Sequence, residues 1–107
     1  MSQFDDREKA AESQYSHNKE IEFKATARRN KLLGVWAAGL MGLEGEAVDA
    51  YARQVVESDF EEVGDDDVLR KVKGDLDEKG CDQSNHQVRK QMTDLMAEAL
   101  KQVKAEI

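Results

Sequence analysis

Apolar residues return every three or four positions in four separate blocks of this chain, and glycine stands between the blocks. The first block holds Ile21, Ala25, Leu32, Leu33, Trp36 and Leu40. The second holds Val48, Tyr51, Ala52, Val55, Val56 and Phe60, and the third Val68, Leu69, Val72 and Leu76. The fourth runs Val88, Met92, Leu95, Met96, Ala99 and Val103, with Lys90, Asp94 and Lys101 on the opposite side. A strand turns its faces every second residue, so this spacing demands helices. Nothing interrupts them, because the chain contains no proline.

The punctuation agrees. Gly42 and Gly45 bracket a first turn, and Gly64 and Gly80 stand where helix ends take up the left-handed conformation. Asp65 is placed to cap the third helix, with Asp66 and Asp67 in a first turn where the dipole favours acids. Ser84 and Gln87 have the spacing of a capping box for the fourth helix. Helices are expected near 19–41, 46–62, 66–79 and 85–105, and the short connections predict antiparallel neighbours. The fold class is all-α, a four-helix bundle over 19–107 preceded by a flexible arm over 1–18.

That arm differs from the rest in chemistry. Residues 1–20 contain one isolated apolar line, Phe4, Ala11 and Tyr15, and no Leu or Val. Its helix propensity is fair, but it has little apolar area to offset the entropy of ordering. A polar arm of this kind is expected to be loose alone and to become helical against a groove.

Composition excludes several functions. At 107 residues the chain builds one modest core. A formal charge of −7 opposes nucleic-acid binding, which needs an excess of base. The longest stretch without a polar side chain, Leu32–Leu43, is too short to span a bilayer. The start lacks a basic-then-apolar leader, and Cys81 is the lone cysteine, both of which point to a reducing cytoplasm. His17 and His86 are too far apart in sequence to suggest a zinc site with Cys81, and Gly39, Gly42 and Gly45 match no phosphate loop. No metal, no required cofactor and no enzymatic activity is expected.

One cluster needs an explanation. Lys24, Arg28, Arg29 and Lys31 crowd the start of the first helix, ahead of the only tryptophan, Trp36. At about 100° per residue, Lys24, Arg28 and Lys31 lie along one border of the apolar stripe. They read either as a solvated border facing Glu57, Glu61 and Glu62, or, with Trp36, as a site for weak binding of adenine nucleotide phosphates. Arg29 falls inside the stripe, and Asp59 falls inside the stripe of the second helix. Both stand about fifteen residues from the Gly42–Gly45 turn, so a helical hairpin predicts an Arg29–Asp59 ion pair.

Longer words carry a resemblance. FDDREKA at 4–10, FKATARRNKLLG at 23–34, DAYA at 49–52, SDF at 58–60 and GDDDVLRKV at 64–72 resemble the zeta subunit of the alphaproteobacterial F-type ATP synthase. The resemblance implies a regulatory inhibitor of ATP hydrolysis whose four-helix part docks on the catalytic sector. Its N-terminal segment would enter a catalytic alpha/beta interface, reach toward the gamma subunit and block rotation. Carried onto this chain, the inhibitory positions are Phe4, Asp5, Asp6, Arg7, Glu8, Lys9 and Tyr15. Ala11 stands where that family often has Phe, which removes an apolar anchor. The resemblance further implies a monomer when free, cytoplasmic and peripheral to the inner membrane through the synthase. A small nucleotide sensor and a helical adaptor with another partner remain the alternatives.

Overall fold

The computed structural model describes the backbone of residues 2–59 and 65–106, with side chains from Asn18 onward within those ranges. Four helices follow one another: α1 (Ser2–Leu40), α2 (Glu46–Ser58), α3 (Asp66–Glu78) and α4 (Asn85–Glu106). The expected all-α, four-helix class is the one observed. Two boundaries differ from the sequence reading. α1 begins at Ser2 rather than near 19, over a stretch of good helix formers without glycine or proline. α2 ends at Ser58 with Asp59 as its C-cap, and residues 60–62 of the expected helix, with Gly64 beyond them, lie outside the described residues.

Two helix ends close in the same way. After α1, Gly42 takes a φ of 78° while Leu43 N–H donates to Ala38 and Gly42 N–H to Gly39. After α3, Gly80 takes a φ of 73° while Cys81 N–H donates to Leu76 and Gly80 N–H to Asp77. Both are Schellman closures, which satisfy the last carbonyls and need a residue that tolerates positive φ. The capping box forms as its spacing predicts. Ser84 N–H donates to Gln87 Oε1 at 2.8 Å, and Gln87 N–H donates to Ser84 Oγ at 3.1 Å. Asp65 takes the N-cap position of α3, but its carboxylate makes no capping bond. It is engaged elsewhere, as described below.

α1 is the spine of the bundle, with α2 and α4 packed along it and α3 bridging between them. Its apolar side chains contribute to two clusters. The larger joins Leu33, Ala37 and Ala38 to Tyr51, Val55, Val68, Leu69, Val72, Leu76, Val88 and Met92. The smaller sets Ala25 against Ala99 and Val103, with Ile21, Leu32, Met96 and Leu100 at its edge. Each fully buried Leu or Val contributes about 1.5–3 kcal/mol relative to exposure. Leu40, expected in the stripe, is 41% exposed, because α1 ends there and turns away.

α1 and α2 approach closely at Gly34. A Cβ placed there would lie 2.5 Å from Ala52 Cα, so only glycine lets α1 and α2 come this near. No helix among the described residues is long and apolar enough to cross a membrane.

Candidate functional site

Arg29 and Asn30 separate the two apolar clusters with a buried polar layer, exposed by only 2% and 1%. Adjacent helical residues point about 100° apart, so the two side chains face different neighbours. Arg29 turns toward the start of α3, where its Nη2 donates to Asp65 Oδ1 at 2.9 Å. Asn30 turns toward the end of α2, where its Nδ2 donates to Asp59 Oδ2 at 3.0 Å. Asn30 Oδ1 closes the network by accepting from Arg29 Nε at 3.0 Å and Nη2 at 2.8 Å.

This corrects the expected Arg29–Asp59 ion pair. Both residues are interior-facing at the same level, as the hairpin argument requires. The neutral amide of Asn30 takes Asp59, and the guanidinium reaches the acid that follows α2. A hairpin of two helices leaves out the third, whose N-terminal end supplies the better-placed carboxylate of Asp65.

Asp65 belongs to a series. Asp66 accepts from Arg89 at 3.1 Å and Asp67 from Arg70 at 2.5 Å, so three consecutive acids each meet an arginine. Arg29 and Arg89 come from α1 and α4, which ties the start of α3 to both long helices. The sequence assigned these acids to capping and dipole roles alone.

The remaining bases of the cluster do not converge. Lys24 pairs with Glu20 on its own helix at 3.0 Å. Arg28 reaches the end of α4, meeting Glu106 at 2.7 Å and Gln102 at 2.9 Å. Lys31 lines a groove against α2 with Asp49, Ala52, Arg53 and Val56. The border therefore faces two different helices, with Arg28 on an acid of α4; of the acids named for the border, Glu61 and Glu62 lie outside the described residues. Trp36 packs, half-buried, against the larger apolar cluster. As a set, Lys24, Arg28, Lys31 and Trp36 are not brought together around one anion.

Two further features escaped the sequence reading. The buried Tyr51 hydroxyl donates to Asp75 Oδ2 at 2.8 Å, joining α2 to α3. Lys71 completes the group, 3.1 Å from Asp75 and 5.5 Å from the Tyr51 ring centre. Burial raises the Tyr51 phenol well above its ordinary 10.0, and the hydrogen bond to Asp75 and that carboxylate's charge push the same way. Phe23, two turns ahead of Asn30, is 67% exposed and borders a groove of about 270 Å³ with Val56 and Asp59. Its period marked neither feature, because partners on other helices cannot be read from one stripe.

The arm positions Phe4, Asp5, Asp6, Arg7, Glu8, Lys9, Ala11 and Tyr15 lie outside the residues whose side chains are described. Comparison with known proteins reaches them by sequence. A family model for the ATPase inhibitor subunit zeta matches residues 1–102, the arm and most of the bundle together. The chain belongs to the zeta ATPase-inhibitor family. A protein solved by solution NMR is 48% identical to it, with a TM-score of 0.72 over 81% of this chain and 99% of the other. A search of curated proteins found no match. The words FKATARRNKLLG and GDDDVLRKV have structural roles in this chain. The first carries Arg29, Asn30 and Gly34, and the second carries the three acids that receive arginines.

Proposed function

We propose that this chain is the regulatory subunit that restrains ATP hydrolysis by the F-type ATP synthase, and that it catalyses nothing itself. The observation that carries this reading is the zeta-family match over residues 1–102, which spans arm and bundle alike. In this reading the bundle over 19–107 is a docking platform and the arm over 1–18 is the inhibitory element. The arm enters a catalytic alpha/beta interface and reaches the gamma subunit to oppose rotation in the hydrolytic direction.

The chemistry of the arm supports that role. Phe4, Ala11 and Tyr15 give a narrow apolar line, while Asp5, Asp6, Arg7, Glu8 and Lys9 offer charges of both signs. Such a segment gains its order from a partner rather than from its own core. Because the arm is the N-terminal part of α1, docking of the bundle raises the arm's local concentration at the interface. The protein works as a monomer, without a cofactor, peripheral to the membrane on the cytoplasmic side.

The test is ATP hydrolysis by the cognate enzyme with and without the protein. Inhibition should saturate with added protein and disappear on removal of residues 1–18, while the truncated bundle still binds. Undiminished hydrolysis at saturating protein would overturn the reading.

A further inference from the structure

We infer that the groove between Lys31 on α1 and Arg53 on α2 is a docking surface for an acidic patch of the partner enzyme. The inference rests on the inhibitor reading above and assigns it a contact face on the bundle. The close approach at Gly34 and Ala52 creates the juxtaposition. Lys31 lies one helical turn before Gly34, and Arg53 follows Ala52, so the two cations emerge at the same level on one side. They line a groove of about 430 Å³ with Asp49, Ala52 and Val56.

Both cations are exposed, and neither has an ion-pair partner among the described residues. The neighbouring bases differ. Lys24, Arg28 and Arg29 are engaged by Glu20, Glu106 and Asp65. In a chain of net charge −7, two uncommitted cations sharing one groove form a local exception to the field of the molecule.

The groove suits carboxylates on a protein better than a phosphate. Its walls are the sides of two helices, whose interior backbone N–H groups are spent within the helices, and the first turn of α2 beside it already carries the carboxylate of Asp49. A phosphate site normally relies on such donors. Asp49 in the same wall repels a compact anion but tolerates a broad surface that places carboxylates at Lys31 and Arg53 and avoids Asp49. Long, exposed side chains of this kind act mainly on the rate of encounter.

The test is association of the full-length protein with the cognate enzyme, followed in real time at several salt concentrations. The variants are Lys31→Glu/Arg53→Glu, the milder Lys31→Gln/Arg53→Gln, Asp49→Asn, and Lys104→Glu as an exposed control on α4. At about 0.01 M salt, double reversal should slow association by about tenfold or more, with melting temperature and dissociation rate little changed. The neutral pair should fall between it and wild type, Asp49→Asn should associate faster, and all differences should shrink at about 1 M salt. Association of the double variants at the rate of Lys104→Glu, with inhibition by wild type intact, would overturn the docking surface alone. Equal loss for Lys104→Glu would overturn it too, as an effect of net charge. Slowed ATP or inorganic phosphate binding without slowed enzyme association would assign the groove to a small anion instead. No binding or inhibition by wild type would remove this inference together with the inhibitor reading.

Discussion

Arg29 reaches Asp65 across 36 residues of chain, and the 2.9 Å contact joins the middle of α1 to the start of α3. Asp59, which stands at the matching height on the hairpin, accepts from Asn30 instead. The two acids flank residues 60–64, so adjacent residues of α1 hold both ends of the link between α2 and α3. The layer is buried on the α1 side and half-open at Asp65, whose side chain is 54% exposed.

Arg29→Ala should therefore destabilise the bundle by about 2–3 kcal/mol, less than loss of a fully buried pair because water reaches Asp65. Arg29→Lys should recover little, since one ammonium cannot serve Asn30 and Asp65 in the forked geometry of a guanidinium. Urea unfolding of Arg29→Ala, Asp65→Ala, Asp59→Ala and the two double variants with Arg29 measures the coupling. The Arg29/Asp65 cycle should depart further from additivity than the Arg29/Asp59 cycle. The reverse order would restore the pair expected from the hairpin.

Gly34→Ala is a sharper test of packing. In an exposed helix the change stabilises by about 1 kcal/mol. At Gly34 the added methyl would meet Ala52 Cα at 2.5 Å, a backbone atom that moves only if the helices separate. A net loss of about 1–3 kcal/mol is expected from overpacking, and Gly39→Ala, which meets nothing within 4 Å, should gain. Thermal melts of the two variants side by side check the contrast.

Tyr51→Phe should cost about 1–2 kcal/mol near neutral pH by removing the hydrogen bond to Asp75. Its pH dependence carries more information. The phenol is held protonated in the folded state above its ordinary 10.0, so the unfolded chain releases a proton there that the folded chain keeps. That contribution is complete below pH 10 and declines as pH rises beyond it. Between about pH 9 and 11.5, wild type should lose stability more steeply than Tyr51→Phe. Parallel slopes would mean that the Tyr51 hydroxyl titrates freely.

Ala11→Phe should strengthen inhibition and Phe4→Ala should weaken it. If the line Phe4, Ala11 and Tyr15 packs into the synthase, a phenyl group at 11 adds burial worth up to about 1.5–3 kcal/mol, or roughly ten- to a hundredfold in affinity. The melting temperature should not move in either variant, because the core among the described residues begins at Ile21. Inhibition curves for wild type and both variants, run at matched concentrations, decide it. Three superimposed curves would show that this face does not bind.

The helices themselves were legible residue by residue. Val68, Leu69, Val72 and Leu76 stand three or four apart, and all four are buried. Ser84 and Gln87 form the expected box, and Gly42, Gly45 and Gly80 take positive φ. These outcomes depend on period, propensity and local hydrogen bonding, which act within one or two turns of chain. The inside position of Arg29 was legible for the same reason, as a charge on an apolar stripe.

Its partner was not. A stripe tells which side chains face inward but not which of several inward neighbours they meet. Asn30, an ordinary polar residue beside the stripe, became the link to Asp59 only once α2 stopped at Ser58 against it. Arg28 went to Glu106 rather than to α2 because α4 runs back along α1 and ends at that level. Lys31 and Arg53 line one groove because Gly34 admits Ala52, a close approach visible only when two helices pack. Helix identity, caps and the charged interior position were thus determined by the sequence, since each is a local property of the chain. The pairing of charges was decided by the tertiary structure, since it depends on how helices far apart in sequence are brought to the same height.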